Sequence, residues 1–156
     1  MAQHSAIQTL IELANKEADR LAEQLGVALR NHQENEQKLT VLQQYREDYA
    51  QRYEDGMAAG LGISNHHNFR VFLAKLDEAI IGQLAIVRQL HTVIETERQA
   101  WQAAERKRMS FDTLAQRAQQ QAYQQTMRRD QKSTDEFASR TLTKKPHPYD
   151  PSIGHE

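Results

Sequence analysis

The chain has 156 residues, of which 38% are hydrophobic and 26% charged, and its formal net charge is -1. A globular domain of this size is usually about 45% apolar, so this composition excludes a thick central core. There is no cysteine, which excludes disulfides, thiolate metal ligands and thiol nucleophiles. No apolar run is long enough for a membrane span or a secretory signal, so the sequence predicts a soluble, cytoplasmic protein.

Helix one is predicted over residues 1–54. Positions 1–145 contain no proline and are rich in Ala, Gln, Glu, Lys, Arg and Leu, the residues that favour helices. Alternating steps of four and three residues from Ile7 give fourteen positions, of which eleven are apolar or aromatic, and this is the spacing of a coiled-coil seam. The polar exceptions are His32, Asn35 and Arg46. His32 and Asn35 lie in the middle of the seam, where polar residues commonly fix the register.

A glycine-rich hairpin loop is predicted over residues 55–66. Its marks are Gly56, Gly60 and Gly62, followed by Ser64 and Asn65 as N-caps of the next helix. Helix two is predicted over 67–140, with a seam that is rich in apolar residues to about Trp101 and dilutes towards Arg129. Because the loop is short, the two helices must run antiparallel. Residues 141–156 contain all three prolines and are predicted to be a disordered tail.

The end of helix two is predicted to extend beyond its partner. Pairing Tyr49 with Phe72 leaves an overhang over residues 117–140, which is roughly 24 residues or about 36 Å long. Residues 97–145 carry 11 basic and 6 acidic side chains, whereas residues 1–96 carry 9 basic and 13 acidic ones. A lone polar helix is marginally stable in water, so we expect this basic segment to fray unless a partner binds it.

The sequence contains no recognisable chemical site. It has no glycine-rich phosphate loop, no metal-ligand spacing and no nucleophile beside a base. The pair His66 and His67 is interpreted as solvated, with a weak metal clip as the alternative. The basic runs are interpreted as a solvated face or as a surface for an acidic protein, and nucleic acid is disfavoured because no aromatic residues interleave with the arginines. We therefore predict a binding or mechanical protein, not an enzyme, with no cofactor and no metal.

Aromatic residues gather at the two sides of the predicted loop. They are Tyr45, Tyr49 and Tyr53 before it, and Phe69 and Phe72 after it. Tyr45, Phe72 and Ala79 lie beside the seam rather than on it, so a two-stranded hairpin leaves them beside solvent. Exposed aromatic residues in a cluster indicate a protein contact. The alternative is an aromatic cluster that only stabilises the turn.

Four segments, in their order around one glycine loop, resemble the FliJ family of the bacterial flagellar type III protein-export apparatus. They are MAQH with IQTLIELANKEAD at the N-terminus, QQYREDY at 43–49, NFRVFLAKLDEAI at 68–80, and MRRDQKSTDEFASR at 127–140. The resemblance covers residues 1–145. It implies a long antiparallel coiled coil that is similar to the central stalk subunit of rotary ATPases.

The resemblance also implies a function. A FliJ-like stalk is expected to bind the hexameric flagellar export ATPase, to promote its assembly and activity, to contact the cytoplasmic domain of the export gate, and to bind and help recycle export chaperones. It is expected at the inner-membrane face of the flagellar base, without membrane insertion and without nucleic acid.

The family's motif positions can be carried onto this sequence. The export-gate surface is implied at Leu42, Tyr45, Tyr49, Phe72, Leu76 and Ala79, with Lys38 and Gln83 at positions where the family's polar residue varies. For the ATPase the resemblance points to the other end, where the N-terminal turns and the basic overhang lie together, and Arg128, Arg129 and Lys132 there offer charge-assisted bonds to acidic loops. Two alternatives from other classes remain: a general cytoplasmic chaperone, which needs apolar surface along its whole length, and a coiled-coil scaffold, which oligomerises through its seam.

Overall fold

The computed structural model describes residues 2–144 as two helices, α1 (Ala2–Ala58) and α2 (Ile63–Thr143). The all-α prediction is confirmed. The chain divides into two units, one that ends at Phe111 and one that begins at Asp112. In the first unit α1 packs antiparallel against α2, which confirms the predicted two-helix hairpin.

The interface between the helices follows the predicted seam. All fourteen seam positions on α1 are buried or half-buried, and so are those on α2 as far as Phe111. Ring centroids of Tyr49 and Phe72 lie 4.6 Å apart, which is the pairing expected from the sequence. The most buried residues are Ala14, Ala18, Ala28, Leu76, Ile94 and Ala104. Four of these six are alanine, so the helices approach closely and bury a thin strip rather than a thick core.

Polar residues within the seam find partners on the opposite helix. The Gln83 side-chain amide donates to the Asn35 backbone carbonyl at 3.0 Å and to Asn35 Oδ1 at 2.9 Å. The rings of His32 and His91 lie 6.0 Å apart across the helices. A half-buried amide that loses its partner costs about 1–3 kcal/mol, so shifting the helices along each other is unfavourable. These contacts support the interpretation that polar seam residues fix the register.

The connection between the helices spans residues 59–62 and is therefore shorter than the loop predicted over 55–66. Gly60 has φ +86° and follows the end of α1. The Leu61 N–H donates to the Gly56 carbonyl at 2.9 Å, and the Gly60 N–H donates to the carbonyl three residues before it at 3.2 Å. These two bonds form a Schellman motif, in which a glycine ends the helix in the left-handed region. Gly56 itself is helical, so only one of the predicted loop glycines ends α1.

The start of α2 also differs from the prediction. The Gly62 carbonyl accepts a hydrogen bond from the His66 N–H at 2.9 Å, and α2 begins at Ile63. Gly62 therefore occupies the N-cap position. Ser64 and Asn65 lie inside the first turn, so the prediction that they cap the helix is wrong. Glycine is acceptable at an N-cap because it leaves the first amide groups open to water.

The second unit, taken by itself, is the last part of α2. It remains helical to Thr143, three residues beyond the predicted end. Every residue over 119–144 is exposed. The first residues of the predicted tail, 141–143, are helical, and positions 145–156 lie outside the described residues.

Candidate protein-docking site

The five aromatic residues beside the connection form one cluster, which we call the aromatic cluster (Tyr45, Tyr49, Tyr53, Phe69 and Phe72). The Tyr49 ring is at its centre, 4.8 Å from Phe69 and 4.6 Å from Phe72 between centroids. Tyr53 packs on Phe69 at 5.7 Å. Aromatic pairs at these separations contribute about 0.5–1.5 kcal/mol beyond the area that they bury. The cluster thus closes the seam at this end of the hairpin.

Tyr45 occupies the solvent side of the cluster. Its ring meets Phe72 edge-on, with an interplanar angle of 82° and 6.2 Å between centroids, and lies 6.3 Å from Tyr49. Tyr45 remains 48% exposed. A ring held by two neighbours but open to solvent presents apolar area and a hydroxyl group at little further entropic cost. This is the arrangement from which a tyrosine makes a strong protein contact.

Besides Tyr45, Tyr49 and Phe72 of the aromatic cluster, the residues predicted for gate binding fall into three groups. Lys38, Leu42 and Gln83 line one open groove, which the aromatic cluster adjoins in sequence. Ala79 is exposed, whereas Leu76 is buried in the seam. Leu76 is therefore placed to support the surface from beneath, because a docked partner cannot reach it while the hairpin is closed.

Two neighbours of this surface were not identified from the sequence. Asp77 accepts a hydrogen bond from Arg46 Nε at 2.6 Å, which raises the pKa of Arg46 and joins α1 to α2 next to Tyr45 in sequence. Val41 is 62% exposed and lines the same groove as Leu42. Asp77 could have been identified from the sequence because it is an acidic residue opposite Arg46, the arginine of the α1 seam. Val41 could have been identified because it is an apolar residue directly before a seam position, Leu42, and therefore lies beside the seam.

His66 and His67 have different surroundings. His66 is half-buried, its ring stacks on Tyr53 at 5.2 Å, and one ring nitrogen is hydrogen-bonded to the Tyr53 hydroxyl group. His67 is exposed on the first turns of α2. Across the part of the chain that the structure describes, no group of three His, Cys, Asp or Glu residues is arranged to hold a metal ion. His66 therefore belongs to the packing of the turn.

The basic residues predicted to contact an ATPase lie in the second unit. Arg128, Arg129 and Lys132 are all exposed on α2. Tyr123 and Met127, also exposed, precede them on the same helix. This stretch exposes cationic and apolar side chains, together with the acidic side chains of Asp130, Asp135 and Glu136.

The described helices include none that is long and apolar enough to cross a membrane. The aromatic cluster leaves Tyr45 partly exposed, and an open groove lined by Leu42 lies close to it in sequence. Exposed aromatic side chains beside a groove are typical of protein-docking surfaces.

Comparisons with known proteins agree with the fold. The chain matches the family model described as "FliJ: Flagellar FliJ protein" over residues 3–147. It is 32% identical over 146 residues to the flagellar FliJ protein of Salmonella typhi, covering 94% of this chain and 99% of that protein. It is 31% identical, with the same coverage, to the flagellar FliJ protein of Escherichia coli strain K12. The chain belongs to the FliJ family of flagellar proteins.

Proposed function

We propose that the chain is a non-enzymatic component of the flagellar type III protein-export apparatus, and that its aromatic cluster binds the cytoplasmic domain of the export gate. The observation that carries this proposal is Tyr45, which is half exposed while two aromatic neighbours hold its ring. A rigid, partly exposed tyrosine is a favourable anchor because little side-chain entropy remains to be lost on binding. The surface continues through Leu42 into the groove beside it.

The residues of the proposed surface have different roles. Tyr45 and Ala79 are exposed and make direct contacts with the gate. Tyr49 and Phe72 are half-buried and orient Tyr45. Leu76 supports the packing below them. Substitutions of the exposed residues are therefore expected to weaken binding without unfolding the hairpin, whereas substitution of Leu76 is expected to affect both.

The binding test uses the full chain and the purified cytoplasmic domain of the export gate. We expect Tyr45→Ala to raise the dissociation constant at least about 10-fold, the scale of a hot-spot tyrosine. The matched control is Tyr123→Ala, which removes a more exposed tyrosine (66%, against 48% for Tyr45) from the other unit. Circular dichroism should give the same helicity for both variants. If the Tyr45 variant binds as tightly as the control, the assignment of the aromatic cluster is wrong.

We further propose that the C-terminal part of α2 binds the hexameric export ATPase and promotes its assembly and activity. The support is the run of exposed cations, Arg128, Arg129 and Lys132, beside exposed Met127. Charge-assisted bonds to acidic loops and burial of the apolar side chains would stabilise this segment on the ring. Binding and recycling of export chaperones form part of the same proposal through the family resemblance.

The ATPase contact is tested by charge reversal. Arg128→Glu together with Arg129→Glu should lower stimulation of ATP hydrolysis, since both contacts become repulsive. The control reverses two exposed arginines in the first unit, Arg30 and Arg88. If both double variants stimulate ATP hydrolysis equally, the C-terminal part of α2 does not take part in activating the ATPase. Truncation after Met127 gives a second measurement with the same expectation.

A general chaperone is the second candidate, because exposed apolar side chains also occur away from the aromatic cluster. They include Leu13, Val27, Ile81 and Ile86. A holdase uses such residues to cover unfolded clients, so it should suppress aggregation of a heat-denatured enzyme that is unrelated to flagella. Suppression at equimolar ratio, retained in the Tyr45→Ala variant, would favour this candidate over the export component.

A further inference from the structure

One side of α1 carries a regular row of exposed residues, which we call the side stripe. Its members are seven residues apart: Leu13, Arg20, Val27, Glu34 and Val41. The three apolar members are 57%, 53% and 62% exposed, respectively. They recur every 14 residues, which corresponds to about 21 Å along a helix. The stripe therefore alternates an apolar residue with a charged one over about 42 Å.

Each apolar member of the side stripe opens onto a groove between the two helices. Leu13 lines a groove with Ala14 and Phe111. The groove at Val27 and the one at Val41 include the seam residue directly after them in the same way. The three grooves are thus the same feature repeated at two-heptad intervals. A repeated groove of this kind fits the apolar face of another coiled-coil helix rather than a small molecule.

We propose that the side stripe is a dimer interface, and that its occupant is the side stripe of a second copy of this chain, turned antiparallel about a two-fold axis at Val27. On either side of Val27 the stripe has a charged residue at seven positions, of opposite sign on the two sides, and an apolar residue at fourteen. The two-fold axis brings Leu13 opposite Val41 of the second copy and Val27 opposite its equivalent. It also brings Arg20 opposite Glu34, twice in each dimer.

The neighbouring row on α1 has the same symmetry. Its residues, seven apart and directly beside the stripe, include Leu10, Glu17, Lys38 and Tyr45, all of them exposed. The same axis brings Glu17 near Lys38 of the second copy and Leu10 near Tyr45. Apolar residues therefore meet apolar ones and each charge meets its opposite, in two rows that are independent in sequence.

Charge selects this orientation over the alternative. In a parallel pair each Arg20 would face the other Arg20, and each Glu34 the other Glu34, and like charges that meet across an interface repel each other and weaken binding. Arg20 is already bonded within its own helix to Glu17 at 2.6 Å. Its guanidinium group has five donors, so it can keep this bond and still donate to Glu34 of the second copy.

The available area is adequate for a stable dimer. The stripe is about 42 Å long, and a face two helices wide is about 20 Å across. It therefore offers roughly 800 Å² on each protomer, which is the size of a standard specific interface. Ile86 and Val93 on α2 are exposed and widen the apolar surface. This interface is distinct from the seam that joins α1 and α2, and it does not rest on the proposed function.

Sedimentation equilibrium of the full chain tests the dimer. The wild-type mass should rise with concentration from 18.0 kDa to twice that value. Val27→Lys places two like charges at the two-fold axis and should raise the dimer dissociation constant at least about 10-fold. Leu29→Lys is the matched control, because Leu29 is an exposed apolar residue of the same helix outside the stripe. A mass of one chain at all concentrations, or equal effects of the two variants, would overturn the proposal.

Charge exchange and cross-linking test the antiparallel orientation. Arg20→Glu alone should weaken the dimer, and adding Glu34→Arg should restore it. Because the chain has no cysteine, single cysteines report proximity cleanly. With an added thiol oxidant, Val27→Cys alone should form an intermolecular disulfide, whereas Leu13→Cys should cross-link rapidly only when mixed with Val41→Cys. Self-cross-linking of Leu13→Cys as fast as the mixture, or no rescue by charge exchange, would contradict the antiparallel dimer.

Discussion

Ile94 provides a direct measure of how much the thin seam contributes to stability. It is 4% exposed, while the next residue towards the N-terminus, Val93, is 40% exposed. Ile94→Ala removes three buried carbons at about 0.8 kcal/mol each, before any cost of the cavity. Substitutions of this kind cost about 2–5 kcal/mol in globular cores. Since the hairpin is two helices thick and water can reach the gap, we expect about 2–3 kcal/mol.

The matched control is Val93→Ala on the adjacent position. It removes two carbons that are already partly hydrated, so we expect a cost of about 1 kcal/mol or less. Urea unfolding followed by circular dichroism at constant m-value measures both changes in the free energy of unfolding. If the two variants differ by less than about 0.5 kcal/mol, burial along the predicted seam is not what stabilises the hairpin.

Three further changes have clear expectations. Gly60→Ala should lower the free energy of unfolding by about 1 kcal/mol, because alanine is strained at φ +86°. Gly82→Ala should raise it by about 0.5–1 kcal/mol, since a Cβ there meets nothing within 4 Å inside a helix; thermal unfolding measures both, and the same sign for both would contradict this account. The Arg108 side chain lowers the pKa of Glu105 below 4.5. Folding therefore favours the ionised form of Glu105. The resulting stabilisation is fully present above the pKa of the unfolded chain and is lost as the pH falls through the lowered pKa of the folded state. In the Glu105→Gln variant, the free energy of unfolding should therefore fall less steeply with decreasing pH than in the wild type, as urea unfolding at a series of acidic pH values would show.

The seam and its register were predictable because each depends on a signal that repeats along the chain. Seven consecutive heptads leave one way to place α1 against α2 once the turn is short. The pairing of Tyr49 with Phe72 that was assumed for the overhang agrees with the structure, where their ring centroids lie 4.6 Å apart. The partner of Arg46 was not predicted, because finding Asp77 requires the facing residue to be known within a single position and a side-chain rotamer to be chosen.

The details of the turn depend on local geometry that the glycine pattern does not determine. Three glycines within seven positions predict a break but do not say which one adopts positive φ. Gly56 continues the helix and Gly60 ends it, because only Gly60 is followed by a residue whose N–H can reach back to close the Schellman motif. The roles of Tyr45 and its neighbours in gate binding stay a prediction. Their packing shows that the cluster presents one partly exposed ring, that of Tyr45.

The side stripe was not predicted from the sequence because its apolar residues recur only every 14 positions, with charged residues between them. It shares one region with the proposed gate surface. Lys38 and Leu42 line the groove at Val41 and also belong to the residues implied in gate binding. If both proposals hold, a second copy and the gate domain cannot occupy this groove together, so the gate-binding form is the monomer. Adding the gate domain should then convert the dimer into complexes that hold one copy of this chain, as light scattering would show by mass. A stable complex that holds two copies would require one of the two surfaces to lie elsewhere.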